Sequence, residues 1–217
     1  MKDSILEQIQ HAFLDLDEDR TLQIVQEAIK KGIDPLAILD QGLSPGMRTI
    51  GDRFQKLEIF LPELILGANI FAEAMKWIEP IILKRGIERK IEGRVVIGTV
   101  KGDVHNIGKD IVAMLLTTAG FQVYDLGVDV EVSRFIDKAQ EVKAEIIGLS
   151  SLLTSTMPIQ KDLIDILKEK GIRDQYLVIV GGGPVTQKWA DEIGADGYAI
   201  TAEEAIRLAG DLMQKKR

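Results

Sequence analysis

Asp103 and His105 stand two residues apart in the run Lys101-Gly102-Asp103-Val104-His105-Asn106-Ile107-Gly108. At that spacing in a loop, the carboxylate can reach the imidazole. A metal-bound histidine commonly donates its second ring N–H to a carboxylate, which fixes the tautomer and raises the basicity of the ligating nitrogen. The hydroxyl of Thr156 offers a third member that hydrogen-bonds the carboxylate in turn. Taken alone, D-x-H-x-x-G reads equally well as a helix N-cap. The hydroxyl-rich run Ser150–Thr156 can simply cap the next helix, and Gly181-Gly182-Gly183 can be an ordinary tight turn. As functional features, the glycines let a ligand lie against bare backbone.

The elements around these residues decide between the readings. From Arg94 onward, apolar runs of strand length alternate with amphipathic helical stretches. Strands are predicted at 95–100, 122–126, 145–149, 177–180 and 197–200. Helices are predicted at about 107–119, 132–142, 157–170, 186–193 and 202–214. Five βα units with Val/Ile-rich strands imply a doubly wound parallel sheet covered on both faces. In the flavodoxin-like order 2-1-3-4-5, the ligand crevice lies beyond the carboxyl ends of strands 1 and 3. The loops after strands 1, 3 and 4 then line one crevice, and these carry Asp103, His105 and Gly108, Ser150 to Thr156, and Gly181-Gly182.

Residues 1–90 read as helices only. Ser4-Ile5-Leu6-Glu7 is a capping box, and Ile5, Ile9, Phe13 and Leu16 give one apolar face. A second helix stops at Gly32. Asp34-Pro35 and Ser44-Pro45 each predict a capping side chain before a proline at the first helical position. The expectation is four main helices, the last running from Leu61 to about Lys84, plus a short one at 35–40, packed as a small bundle. The domain division is therefore 1–90, a helical bundle, and 91–217, an α/β domain, joined by a charged linker at Arg85–Gly93.

Composition narrows the chemistry. Among 217 residues there is no cysteine, and His11 and His105 are the only histidines. Thiol nucleophiles, cysteine-ligated clusters and histidine-rich cages are excluded, so any metal chemistry must use few protein ligands, and a macrocycle that brings its own would fit. Net charge is −7, and residues 1–90 carry 12 Lys/Arg against 15 Asp/Glu, so neither half is basic. That argues against nucleic acid as a partner. No apolar run is long enough for a membrane span, and the start lacks a signal-peptide pattern, so the expected location is the cytoplasm.

Asp103-x-His105-x-x-Gly108, Ser150-x-Leu152 and Gly181-Gly182 together resemble the cobalamin-binding signature of methionine synthase and the corrinoid proteins of methyltransferase systems. The likeness extends to GTVKGDVHNIGKDIV, YDLGVDV, IIGLSSLLTSTM, VIVGGGPVT and GADGYA, and in the first half to GLSPGMRTIGDRF and FLPELILGA. It is similar to the small corrinoid proteins of methanol, methylamine, betaine or methoxyaromatic demethylation.

The resemblance implies that His105 replaces the corrinoid's lower base as cobalt ligand, with Asp103 and Thr156 completing its hydrogen-bond relay. Methionine synthase has serine where Thr156 stands. Val104, Asn106, Ile107 and Gly108 share the cofactor loop. Ser150 and Thr154 would line the pocket for the displaced base, Leu152 is a cofactor-binding residue of the same signature, and Gly181 and Gly182 would flank the nucleotide tail. Phe54 and Leu61 would cover the upper, methyl-bearing face; periodicity alone makes them bundle core.

The implied function is methyl carriage between a substrate-specific methyltransferase and a second methyltransferase using tetrahydrofolate or a thiol, with a reductive activase. The chain by itself would catalyse no turnover. Other readings are a subunit of an adenosylcobalamin mutase, a cobalamin-dependent regulator and a flavodoxin-like nucleotide binder.

Overall fold

The protein is described by a computed structural model covering residues 4–85 and 91–216. The described residues form two compact units, one up to residue 85 and one from residue 91. Residues 86–90, most of the linker expected at Arg85–Gly93, lie outside the described residues.

The first unit is all helical: α1 (Ile5–Leu14), α2 (Glu18–Lys30), α3 (Pro35–Ala37), α4 (Ser44–Gln55) and α5 (Leu61–Lys84). Helix α1 starts on the capping box read from the sequence, with the Ser4 hydroxyl accepting from the Glu7 N–H and the Glu7 carboxylate from the Ser4 N–H. Gly32, at φ +75°, follows the Lys31 cap of α2. Helix α1 packs on α2 and α4, and α5 packs on the same two. Ile9, Phe13, Ile24, Met47, Ile50, Leu64 and Ile70 are all buried between them.

Two proline-based expectations differ from the structure. Neither Asp34 nor Ser44 caps a helix with its side chain. Instead α3 runs through a π-helical segment, Ile38–Leu43, straight into α4. Pro35 sits in the first turn of α3, where the N–H it lacks has no partner to lose. Ser44 is itself buried. The wider π turn rotates the apolar run so that Ile38, Leu39 and Leu43 all face inward.

The second unit holds β1 (Arg94–Thr99), α6 (Ile107–Thr118), β2 (Gln122–Asp125), α7 (Val132–Val142), β3 (Ile146–Ser150), α8 (Pro158–Glu169), β4 (Leu177–Gly181), α9 (Gln187–Ile193), β5 (Gly197–Tyr198) and α10 (Ala202–Lys216). The strand order is β2-β1-β3-β4-β5, as expected, and every neighbouring pair is parallel. Strand alternation sends Val95 and Ile97 to one face, against Ala113 and Leu116 of α6 and Ala209 and Met213 of α10. Val96, Ile147, Leu149, Val178 and Val180 face the other way, onto Phe135 and Ile136 of α7, Leu163 and Leu167 of α8, and Ala190 of α9. The chain crosses from one face of the sheet to the other at β1 and β3, so the loops after these strands diverge and leave a crevice between them.

Candidate functional site

Between Lys101 and Gly108 one side chain is buried, and it is a carboxylate. Asp103 has no solvent exposure, while Val104, His105, Asn106, Ile107 and Gly108 are all exposed. A buried ion is costly unless it is hydrogen-bonded, and Asp103 is saturated. Its Oδ1 accepts from His105 Nδ1 at 2.7 Å and from the His105 backbone N–H at 3.1 Å. Its Oδ2 accepts from the N–H groups of Leu152 and Leu153, at 2.7 and 3.2 Å, and from the Thr156 hydroxyl at 3.0 Å. Burial pushes the Asp103 pKa up. The bonds from the His105 ring, the His105 and Leu152 N–H groups and Thr156 outweigh it and hold the carboxyl at about 2.

A carboxylate can only accept, so Nδ1 of His105 carries the proton and Nε2 is left with a lone pair. The imidazole is about half exposed. The relay continues one residue beyond the expected three: Ser151 Oγ lies 2.7 Å from Thr156 Oγ1. Thr156 donates to Asp103 and can accept from Ser151. The His105 carbonyl is held from the other side by the Thr99 hydroxyl at 2.8 Å. Backbone, ring and carbonyl of His105 are thus tied to the ends of β1 and β3.

The loop itself is anchored. Asp129, at φ +55°, accepts from the Gly102 N–H at 2.8 Å and donates its own N–H to the Asp103 carbonyl at 2.9 Å. The Gly102 N–H and then Lys101 hold the Asp129 carboxyl below the usual range.

Of the residues read from the sequence, Asp103, His105 and Thr156 come together as one hydrogen-bonded set. Leu152 joins them through its backbone N–H, while its side chain, with those of Val104 and Ile107, stands exposed around the imidazole loop. Asn106 turns its amide to Asp110. Ser150 is the last residue of β3 and pairs by register with Thr99 and Gly181. Thr154 is exposed in the turn after β3. Gly181 ends β4, and Gly182, at φ +122°, passes so close to β3 that a Cβ there would sit 1.8 Å from the Ser151 carbonyl oxygen. Gly108 is the opposite case: a Cβ would meet nothing within 4 Å. Phe54 and Leu61 belong to the first unit, half-buried beside the exposed Leu57 and Phe60.

Sequence reasoning missed Ser151, Leu153 and Thr99. Ser151 and Thr99 carry a recoverable signal, since each is a hydroxyl at a strand's carboxyl end beside the predicted crevice.

This donor set suits a corrinoid. It offers one half-exposed imidazole whose Nδ1 is tied to a buried carboxylate, and a rim of exposed apolar side chains. At Gly108 there is open space against bare backbone. A doubly wound sheet with a carboxylate-held histidine at its switch point has the form of a ligand-binding module whose crevice presents one imidazole.

Comparison with known proteins agrees. Residues 93–208 match one family profile described as a B12 binding domain, and residues 5–79 match a second of the same description. A corrinoid protein of Desulfitobacterium hafniense is 45% identical over 98% of this chain and 99% of its own length. Trimethylamine corrinoid protein 1 of Methanosarcina acetivorans is 45% identical over 94% of this chain and 95% of its own. A crystal structure of the methanol:cobalamin methyltransferase complex of Methanosarcina barkeri superposes with TM-score 0.88 at 31% identity, covering 99% of this chain and 81% of the other. A cobalamin-binding protein of D. hafniense gives 0.69 at 34% identity, covering 95% and 97%. The chain belongs to the B12-binding corrinoid protein family. Among the described residues, no helix is long and apolar enough to cross a membrane.

Proposed function

We propose that this protein is a methyl carrier that holds a corrinoid over the β1–β3 crevice, with Nε2 of His105 as the lower cobalt ligand. When bound, the corrinoid supplies a cobalt centre that accepts a methyl group and gives it up. The observation that carries the reading is the saturated Asp103 carboxylate, which commits the His105 ring to one tautomer and one orientation.

The chain's own residues do the rest. Asp103 keeps the proton on Nδ1. Thr156 and Ser151 would provide hydroxyls along which a proton can shift toward and away from the Asp103 carboxylate. Val104, Ile107 and Leu152 exclude water from the face against the ring. Ser150, Thr154, Gly181 and Gly182 accommodate the displaced base and its tail, and the assignment of Phe54 and Leu61 to the methyl-bearing side rests on the family resemblance alone. The relatives, named as trimethylamine and dimethylamine corrinoid proteins and as part of a methanol:cobalamin methyltransferase complex, support the carrier role. We assign as partners a substrate-specific methyltransferase, a second methyltransferase acting on tetrahydrofolate or a thiol, and a reductive activase, all in the cytoplasm.

The test is spectroscopic. The chain has two histidines, so ¹⁵N-histidine labelling reports on few sites. The EPR spectrum of bound cob(II)alamin should show hyperfine splitting that changes with the label and vanishes in His105→Ala. A spectrum indifferent to the label overturns the ligand assignment.

A further inference from the structure

Lys109 follows the cofactor motif directly and breaks a local rule. It stands in the first turn of α6, where a cation opposes the helix dipole. Its side chain is also buried, with about 1% exposed. A buried ammonium is tolerated when it is paired. Lys109 Nζ lies 2.5 Å from Asp110 Oδ1 and 2.5 Å from Asp125 Oδ2. Each carboxylate has a second protein partner on its other oxygen. Asp110 Oδ2 accepts from the Asn106 amide at 2.8 Å, and Asp125 Oδ1 accepts from the Gly127 N–H at 2.8 Å. The Gly127 carbonyl accepts from the Thr99 N–H at 2.9 Å, and the Thr99 hydroxyl holds the His105 carbonyl. Lys109 therefore closes a ring of hydrogen bonds that starts at Asn106 and returns to His105.

The ring has a counterpart at the near end of the same loop. There Lys101 pairs with Asp129 and Glu131, each at 3.2 Å, and Asp129 grips Gly102 and the Asp103 carbonyl. Both ends of the histidine loop are thus fastened to one segment, the connection from Asp125 to Glu131 that follows β2. No other buried cation takes part: among the described residues Lys109 is the one lysine or arginine that is buried.

We propose that Lys109 is a positioning residue for the cobalt ligand, acting through Asp125 and Asp110 to hold the far end of the His105 loop at the height where Nε2 meets the metal. The inference rests on the ligand reading above. Without the ammonium, Asp110 and Asp125 repel each other, both are partly exposed and can hydrate, and the loop loses its far anchor while the Asp103 relay stays intact. The ratio of histidine-bound to histidine-free cofactor should fall, with the corrinoid still held by the rest of the crevice.

The experiment compares the full-length wild type, Lys109→Met, Asp125→Asn and His105→Ala, each loaded with cob(II)alamin. EPR gives the histidine-bound fraction, and thermal unfolding of each apo protein gives stability. Wild type showing histidine splitting and His105→Ala showing none establishes the ligand; wild type without it sinks the ligand reading itself. With the ligand established, Lys109→Met and Asp125→Asn should each lower the bound-to-free ratio by about three- to tenfold, less than the 10–100-fold typical of a direct outer-shell partner. Asp125→Asn carries the test should Lys109→Met fail to fold, because its side chain is partly solvated. An unchanged ratio in Asp125→Asn, or a lowered melting point with an unchanged ratio in Lys109→Met, overturns the proposal and leaves Lys109 a structural ion pair.

Discussion

Replacing Asp103 by asparagine keeps the shape and removes the charge, so it isolates what the carboxylate does. The carboxyl is held at about 2, against an ordinary value of 3.8. Through linkage, that depression corresponds to about 2 kcal/mol of folding stability. A lowered folded-state pKa stabilises above the unfolded value and is lost as pH falls through the folded one. The contribution is therefore full above about pH 5 and fades toward pH 2.

Asparagine adds a second cost. Its amide has one accepting edge and one donating edge, and Asp103 faces donors on both. If the NH₂ takes the Oδ2 place, it meets two rigid backbone N–H groups and a hydroxyl. If it takes the Oδ1 place, it meets one rigid N–H, and the His105 ring can adapt by moving its proton to Nε2. The second arrangement has fewer conflicts, and it puts a proton on the nitrogen that should bind cobalt.

Asp103→Asn should then lose about 2–4 kcal/mol at pH 7, from the lost charge and a buried donor left facing donors. Its loss relative to wild type should shrink between pH 5 and pH 2. The histidine-bound fraction of loaded cofactor should fall by about 10–100-fold. Denaturant unfolding followed by Trp189 fluorescence in a Trp77→Phe background reads the second unit alone, since each unit holds one tryptophan. A stability change below about 0.5 kcal/mol, within the range of ordinary surface substitutions, would refute the account of the buried carboxylate. An unchanged EPR splitting would refute the tautomer argument.

Three further outcomes follow from the same geometry. Gly182→Ala should destabilise the second unit by at least about 3 kcal/mol, because its Cβ would overlap the Ser151 carbonyl at a backbone angle hostile to side chains; a urea midpoint near wild type contradicts the β3–β4 contact. Gly108→Ala should leave apo stability within about 0.5 kcal/mol of wild type, its Cβ facing open space, while weakening corrinoid retention on gel filtration; unimpaired retention would remove Gly108 from the cofactor face. Thr156→Val should cost about 1–3 kcal/mol by deleting one donor to a buried ion and removing the hydroxyl beside Ser151, and Thr156→Ser should restore most of it; a Thr156→Val variant as stable as wild type in chemical denaturation, with Thr156→Ser below it, would show that the methyl matters and the hydroxyl does not.

How much of this was legible in the chain depends on the range of the interaction that decides each feature. The βα alternation is local: Val95–Ile97, Ile146–Ile147 and Val178–Val180 announce buried strands by composition, and the observed strands begin and end within two residues of expectation. The crevice followed from strand order and a general rule about sheet ends, so Asp103, His105 and Thr156 could be placed together across fifty residues of sequence. Around the carboxylate, Leu153 and the way in which Leu152 acts escaped detection because these donors have no side-chain letter. Leu152 and Leu153 bind Asp103 through backbone N–H groups, and any residue but proline at either position would read the same. The π-helical turn at Ile38–Leu43 was hidden for a related reason. Ser44-Pro45 carries the local mark of a helix start, but the burial of Ile38, Leu39 and Leu43 outweighed it. Lys109 is the reverse. Its letter suggests a solvated surface cation, and only the fold brings Asp125, sixteen residues away, within reach of it. A residue that contradicts its local setting this plainly is where a function-bearing constraint is to be sought. Here the contradiction adjoins the motif itself, which is why the Lys109 and Asp103 variants, read by the same cobalt signal, separate the anchoring of the loop from the protonation of its histidine.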